Sequence, residues 1–232
     1  MKICVVGSGG REHALAHTLS PHADVLVTPG SPGIKGSTEV TATEIEADLY
    51  VVGPEIPLVE GLADDLRSRG CHVFGPGSDG AMLEGSKIWM KELVDAAGVP
   101  TARYGSFGAD EVDQAVDFLS TLTPPYVVKT DGLAAGKGVL VTDTYAEAVD
   151  DIRNKLSGNS FGEAGRQIVI EEGLCGPELS LFALCDGKKA VLIPTAAQDH
   201  KRLLDDDYGP NTGGMGCYSP LPELSSQDLE QL

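Results

Sequence analysis

Apolar residues open the chain as a short unbroken run over residues 2 to 6 (KICVV) that stops at Gly7. From Arg11 to Leu19 the apolar positions Ala14, Leu15 and Leu19 take up helical spacing, so the pattern predicts a strand, a glycine turn and a helix. Further apolar runs at Val25 to Val27, Leu49 to Val52 and Val73 to Phe74 are separated by Gly- and Pro-rich punctuation and by an amphipathic stretch from Leu58 to Arg69. Strands and helices alternating in this way predict an α/β unit with a parallel sheet and crossover helices. A helix over Ser86 to Ala97 would place Ile88, Trp89, Leu93 and Ala97 on one side, and it stops at Gly98 with Pro100 beyond. Residues 98 to 105 read as a domain boundary.

Beyond that boundary the order changes. Helices are predicted at Glu111 to Leu122 and Tyr145 to Leu156, and strands at Tyr126 to Lys129, 139 to 141, 167 to 171, 179 to 185 and 190 to 193. A glycine loop lies at 132 to 138, and Asp186-Gly187 is a turn joining the last two strands. This is an α+β unit rather than a second doubly wound sheet. Gly173 to Pro177 and Gly209 to Pro220 read as loops, and Ser225 to Leu232 starts like a capped helix with Ser225 and Asp228 at capping-box separation.

Charge narrows the set of partners. With 17 basic against 35 acidic residues the formal charge is -18, which repels nucleic acid and anionic membrane surfaces. A phosphate-bearing ligand must therefore be held by local cations. The five cysteines, Cys4, Cys71, Cys175, Cys185 and Cys217, form no CxxC pair and have no histidine at zinc spacing, so reduced thiols and no metal site are expected. No apolar run reaches the roughly 18 residues of a membrane span, and a soluble, cytoplasmic protein is expected.

Four segments could carry chemistry. Gly7-Ser8-Gly9-Gly10-Arg11-Glu12 turns a strand into a helix, where backbone N–H groups can receive a phosphate at the positive end of the helix dipole; a plain tight turn is the alternative. A dinucleotide fingerprint would have glycine at position 12 and an acidic residue ending the second strand, but Glu12 and Thr28-Pro29 stand there, which argues against a nicotinamide oxidoreductase. Lys129 to Gly138 (KTDGLAAGKG) has no Walker spacing. It reads as a glycine flap able to close over a polyphosphate, with Lys129 a fixed cation and Lys137 a mobile one, or else as an ordinary hairpin loop. At Ile170 to Leu174 a strand enters a loop, and backbone groups around Glu172 and Leu174 could meet an adenine edge while a carboxylate such as Glu178 binds ribose hydroxyls; surface glutamates beside a turn are the alternative. Finally, Gln198 to Arg202, Asp205 to Asp207 and Gly209 to Gly216 crowd acids, bases and amides into a Gly- and Pro-rich stretch. There Lys201 and Arg202 could neutralise a carboxylate or phosphate, or simply form a solvated loop.

Taken together, VVGSGGREHAL, VVGPEIPLVEGLAD with FGP, LEGSK with VPTARY, VVKTDGLAAGKGV, EEGL with GPELS, and QDHKRLLDDDYGPNTGGMGCYSP resemble the glycinamide ribonucleotide synthetase (phosphoribosylamine-glycine ligase) family over most of residues 1 to 220. The resemblance implies an ATP-grasp ligase of purine synthesis that joins glycine to 5-phosphoribosylamine through glycyl phosphate, and a monomer in its full-length form. It implies a Rossmann-like pre-ATP-grasp domain over 1–100, an ATP-grasp linker and lid over 101–192, and the start of the larger ATP-grasp half over 193–232, with ATP between the halves. By position, Lys87 and Lys129 match phosphate-directed lysines, and Gly132, Gly136, Lys137 and Gly138 belong to the phosphate flap. Glu171, Glu172 and Leu174 match the adenine hinge, and Glu178 the ribose contact. Gly9, Gly10, Arg11, Gly53, Pro54 and Glu55 would face phosphoribosylamine, while Asp199, His200, Asn211, Thr212, Gly213 and Gly214 would line the glycine and acyl-phosphate site. Lys129, Lys201 and Arg202 are the charges expected to serve the chemistry.

Two departures accompany the resemblance. The family's magnesium-binding glutamate and asparagine lie beyond residue 232, so these residues alone are expected to be inactive or nearly so, the alternative being a non-catalytic nucleotide- or phosphoribosyl-binding module. The family also has a longer crossover with a full helix between the second and third strands. Here only Thr43 to Ala47 is left for one, and the 21 residues from 28 to 48 suffice only on a nearly direct path.

Overall fold

A computed structural model describes residues 1–133, 138–158, 166–176 and 178–222. It divides into two compact units, Met1–Gly173 and Leu174–Leu232.

The first unit begins with β1 (Lys2–Gly7), α1 (Gly10–Leu19), β2 (Asp24–Pro29), β3 (Leu49–Val52), α2 (Glu55–Val59), α3 (Leu62–Ser68), β4 (Val73–Phe74), α4 (Ser78–Gly85) and α5 (Lys87–Ala96). Strands pair in the order β2-β1-β3-β4, all parallel. The opening run is apolar without alternation because β1 is covered on both faces. Cys4 and Val6 join a cluster with Tyr50, Val52, Leu58, Ala63 and Leu66, while Ile3 and Val5 join another with Ala16 and Val27. Burial pushes the Cys4 thiol up to about 11, so it stays protonated and packs as a small apolar group.

Three local readings change. The amphipathic stretch from Leu58 to Arg69 is two helices, because Gly61 takes φ 88° between α2 and α3, a backbone state that few other residues tolerate. Helix α4, with few apolar residues in register, carried no periodic signal. The crossover from β2 to β3 has a single 3₁₀ turn, Ala42–Glu44, in place of a helix. Its chain wraps the edge of β2, where the Val27 N–H donates to the Gly36 carbonyl and the Thr38 N–H to the Val27 carbonyl. Ile34 then packs on one face of the sheet, and Ala42 and Ile45 on the other. Twenty-one residues thus cover both faces, and the parallel order is kept.

The rest of the first unit is β5 (Tyr104–Gly108), α6 (Val112–Leu119), β6 (Tyr126–Thr130), β7 (Val139–Thr142), α7 (Tyr145–Leu156) and β8 (Gln167–Glu172). Its sheet runs β5-β8-β6-β7, wholly antiparallel, with α6 and α7 closing a core of Leu119, Val128, Ile152, Ile168 and Ile170. The α+β reading therefore holds. Strand β5 falls inside what reads as a boundary, since Gly105, Ser106 and Gly108 dilute its apolar signature.

The second unit holds β9 (Ser180–Cys185), β10 (Ala190–Asp199), β11 (Arg202–Leu204), β12 (Tyr208–Asn211) and β13 (Cys217–Tyr218). The predicted turn is present: the Asp186 carboxylate accepts from the N–H groups of Lys188 and Lys189. Strand β10 runs six residues past its predicted end, through a register shift between Leu192 and Ala196 where Pro194 has no N–H to donate. The stretch 209 to 220, read as loop, contributes β12 and β13. The tail from Ser225 to Leu232 lies outside the described residues. Among the described residues no helix is long and apolar enough to cross a membrane.

The glycines around Glu12 supply a stability test. A Cβ at Gly53 would collide with the Glu12 carboxylate, whereas one at Gly10 would meet nothing within 4 Å. Gly53→Ala should destabilise the chain by about 1–3 kcal/mol as an overpacked site, and Gly10→Ala should be neutral or stabilising, because it replaces a glycine inside α1. Urea denaturation of both variants checks the contrast.

Candidate functional site

At the C-terminal ends of β1 and β3 the sheet changes direction of winding, since β2 lies on one side of β1 and β3 on the other. Open α/β sheets form their ligand crevice at this point. Here Gly9, Gly10 and Arg11 meet Gly53, Pro54 and Glu55: Arg11 Nη1 lies 3.1 Å from Glu55 Oε1. Between them sits Glu12, only 3% exposed. Its carboxylate accepts from the Gly9 N–H at 2.7 Å and from Arg11 Nε at 3.0 Å. The Gly9 N–H is thus already taken, which corrects the expectation that this group is open to a phosphate. Burial works against the Arg11 charge, but hydrogen bonds to Glu12 and Glu55 outweigh it and raise its pKa. The Glu55 carboxyl is lowered, first by its own backbone N–H and then by Arg11.

A second cluster gathers where α5 meets the antiparallel sheet. Asp131, just past β6, accepts from Ser86 Oγ at 3.0 Å and from the Ile88 N–H at 3.1 Å, so it caps α5 together with Ser86, whose hydroxyl accepts from the Trp89 N–H. Lys87 Nζ donates to the Gly132 carbonyl at 2.8 Å. These bonds fasten the root of the glycine flap to the first turn of α5. At its other end, the Gly138 carbonyl accepts from the Thr130 N–H at 2.8 Å, while Gly136 and Lys137 lie outside the described residues. Desolvation lowers the Lys87 pKa, with the Asp131 carboxylate opposing it and the Lys129 ammonium adding to it.

Lys129 points its ammonium at Glu171, 2.9 Å from Oε2, and the same oxygen lies 3.4 Å from Lys91 Nζ. Lys91 is 3% exposed and Glu171 5%. Here α5 departs from its expected face, because Leu93 is 43% exposed while a lysine turns inward. The interior offers that lysine partners: Thr101 Oγ1 at 2.7 Å, the Ala102 carbonyl at 3.4 Å and the Tyr104 ring at 5.2 Å. Glu172 instead accepts from the Arg103 N–H at 2.8 Å.

Within the second unit, Lys201 Nζ lies 2.6 Å from Glu178 Oε2 and 3.8 Å from Asp199 Oδ2. The hydrogen bond to Glu178, ahead of the opposing desolvation, raises the Lys201 pKa. Arg202 Nη1 donates to the Gly209 carbonyl at 2.7 Å. Thr212 Oγ1 donates to the Lys201 carbonyl at 2.9 Å and accepts from the Gly214 N–H at 3.0 Å, and the His200 N–H donates to the Gly216 carbonyl at 3.0 Å. Strands β11 and β12 pair Arg202 with Asn211. Gly213 has open space about it, and Leu174 is exposed.

Sequence reasoning missed Glu12 as a structural plug, Asp131 and Ser86 as the cap of α5, and Lys91. The available signals were the Ser86-x-x-Trp89 spacing of an N-cap, and Lys91 standing one helical turn after Lys87.

Comparison with known proteins follows these clusters closely. Residues 1–84 match the family model described as phosphoribosylglycinamide synthetase, N domain, and residues 85–232 its ATP-grasp (A) domain. The phosphoribosylamine-glycine ligase of Xanthomonas axonopodis pv. citri is 46% identical over 245 residues, covering 98% of this chain and 56% of that protein. The corresponding ligase of Caulobacter vibrioides is 49% identical over 247 residues, covering 100% and 57%. The crystal structure of phosphoribosylamine-glycine ligase from Thermotoga maritima superposes with a TM-score of 0.81 at 33% identity, covering all of this chain and 58% of that one. The chain therefore spans somewhat over half the length of these relatives. Matched along its whole length by the two domain models, it belongs to the phosphoribosylglycinamide synthetase family and carries that family's parallel-sheet N domain followed by ATP-grasp structure.

Proposed function

We propose that this chain holds the nucleotide and the phosphoribosylamine for an ATP-dependent ligase that joins glycine to 5-phosphoribosylamine, giving glycinamide ribonucleotide, ADP and phosphate. The observation that carries this reading is the convergence of Lys87 and Lys129 on the root of the glycine flap, in a chain whose formal charge is -18. Cations fixed in so acidic a protein select a polyanion.

In this reading Lys87, Lys129 and the Gly132 to Gly138 flap hold the phosphates of ATP, with Glu171, Glu172 and Leu174 at the adenine and Glu178 at the ribose. Residues 1–100 hold phosphoribosylamine at Gly9 to Arg11 and Gly53 to Glu55, residues 101–192 form the linker and lid, and 193–232 begin the larger half. Asp199, His200 and Asn211 to Gly214 line the glycine site, where Lys201 and Arg202 offset developing negative charge. A glycine carboxylate oxygen attacks the γ-phosphorus, displacing ADP and forming glycyl phosphate. The amine of phosphoribosylamine then attacks the acyl carbon, and phosphate leaves as the amide forms and the amine loses a proton. Positioning and charge neutralisation supply the rate, with no protein nucleophile.

Magnesium is the cofactor the family implies, and it would bridge phosphate oxygens. Among the described residues no group of three His, Cys, Asp or Glu side chains is placed to hold a metal. The residues present therefore do not fit the ion, no step is routed through it, and the 232-residue chain alone is assigned binding with little turnover.

Calorimetric titration with ATP should give saturable binding to the wild-type chain, weakened about tenfold or more in Lys129→Met through loss of a charge-assisted contact. Absence of ATP binding, or an unchanged Kd in the variant, contradicts the assignment. Robust turnover with ATP, Mg²⁺, glycine and phosphoribosylamine contradicts the low activity assigned to the chain alone.

The lowered Lys87 pKa adds a pH test. The folded chain gives up this proton below the ordinary value of 10.5, while the unfolded chain still holds it. In the window just below 10.5, ATP affinity should therefore fall with rising pH as Lys87 loses its charge, while the stability contributed by this group rises, because the unfolded state binds more protons there. Both components should vanish in the difference between wild type and Lys87→Met, measured by titration and by urea melts.

A further inference from the structure

We propose that Lys91 is a positioning residue that keeps a positive charge available on Lys129 by sharing Glu171 with it; the inference rests on Lys129 facing a phosphate. The carboxylate of Glu171 stands between two ammonium groups, and both approach the same oxygen, at 2.9 Å for Lys129 and 3.4 Å for Lys91. Its other oxygen, Oε1, is buried without a hydrogen-bond partner among the described residues. The three side chains therefore carry a net charge of +1. Without Lys91, Glu171 would pair with Lys129 alone and cancel it, leaving little to attract a phosphate in so acidic a chain.

Placement of the two lysines supports this division of labour. Lys129 has a side chain 26% exposed and can reach a ligand, whereas the side chain of Lys91 is 3% exposed. Lys91 is enclosed by Thr101, Ala102 and the Tyr104 ring, so it reaches no ligand itself. Burying an ammonium is costly unless it is paired. An apolar side chain would pin α5 against β5 and β8 without that cost, so packing alone does not account for a charge at this position. Glu171 reaches both lysines because β8 runs between β5 and β6, with α5 packed at its end.

The test is a charge-cancelling pair of variants in the 232-residue chain, each first verified to be folded by circular dichroism. Lys91→Met should weaken ATP binding about tenfold by removing the excess charge at the phosphate, and Lys91→Arg should retain most of the affinity. The double variant Lys91→Met with Glu171→Gln should regain affinity relative to Lys91→Met, because Lys129 is again uncompensated. A structural role for Lys91 predicts the reverse, with the double variant equal to or worse than the single one, and that result overturns the inference. A second readout needs no nucleotide: acylation of Lys129 by an amine-reactive ester, followed by mass spectrometry. An exclusive ion pair should slow Lys129 labelling several-fold in Lys91→Met, and the double variant should restore it. Unchanged or faster labelling in Lys91→Met overturns the inference. Should wild type bind no ATP, the nucleotide assignment fails, and the labelling result still decides the role of Lys91.

Discussion

A single buried carboxylate, that of Glu171, organises the part of the molecule that faces the phosphates. It sits near the end of β8, a strand hydrogen-bonded on both sides, and draws one ammonium from α5 and another from β6. Buried charge is tolerated only with partners, so the position of this side chain constrains three elements together. Asp131 adds a second tie by capping α5 from the end of β6. Helix α5, which follows the parallel sheet in sequence, is thereby fixed to the antiparallel sheet. The flap glycines begin at the next residue, Gly132, whose carbonyl is held by Lys87. A glycine loop with an anchored root can move at its tip while its cations stay in place.

A different solution holds the turn after β1. Glu12 fills the space over Gly7 and Gly53 that a dinucleotide-binding sheet leaves to glycine, and its carboxylate closes the Gly9 turn from inside. The glycines there are needed for the plug as much as for any ligand, since side chains at Gly7 or Gly53 would meet it. Arg11 is then presented outward, charged and paired with Glu55.

Much of this was legible in the residues. Periodicity located β1, β3, β4 and α7 to within a residue, since runs such as Leu49 to Val52 are bounded by turn residues and buried on both faces. The lysines of the second cluster were legible through their glycine context. What escaped notice was everything that depends on tertiary partners. Lys91 reads as a solvent-facing residue of an amphipathic helix, and only Thr101 and Glu171, ten and eighty residues later, make it an interior one. Strand β5 was hidden by its glycines, and the helix-free crossover could be resolved only by seeing the chain wrap the β2 edge.

The central claim is that Lys87 and Lys129 form the phosphate-facing pair, and the signals of the lysine ammonium groups in the nitrogen-labelled chain report on it directly. On titration with a non-hydrolysable ATP analogue, the Lys87 and Lys129 signals should shift together along one saturation curve. Lys155, buried against the Val128 carbonyl, should stay fixed. Unmoved Lys87 and Lys129 signals under saturating analogue, or an equal shift at Lys155, would contradict the account.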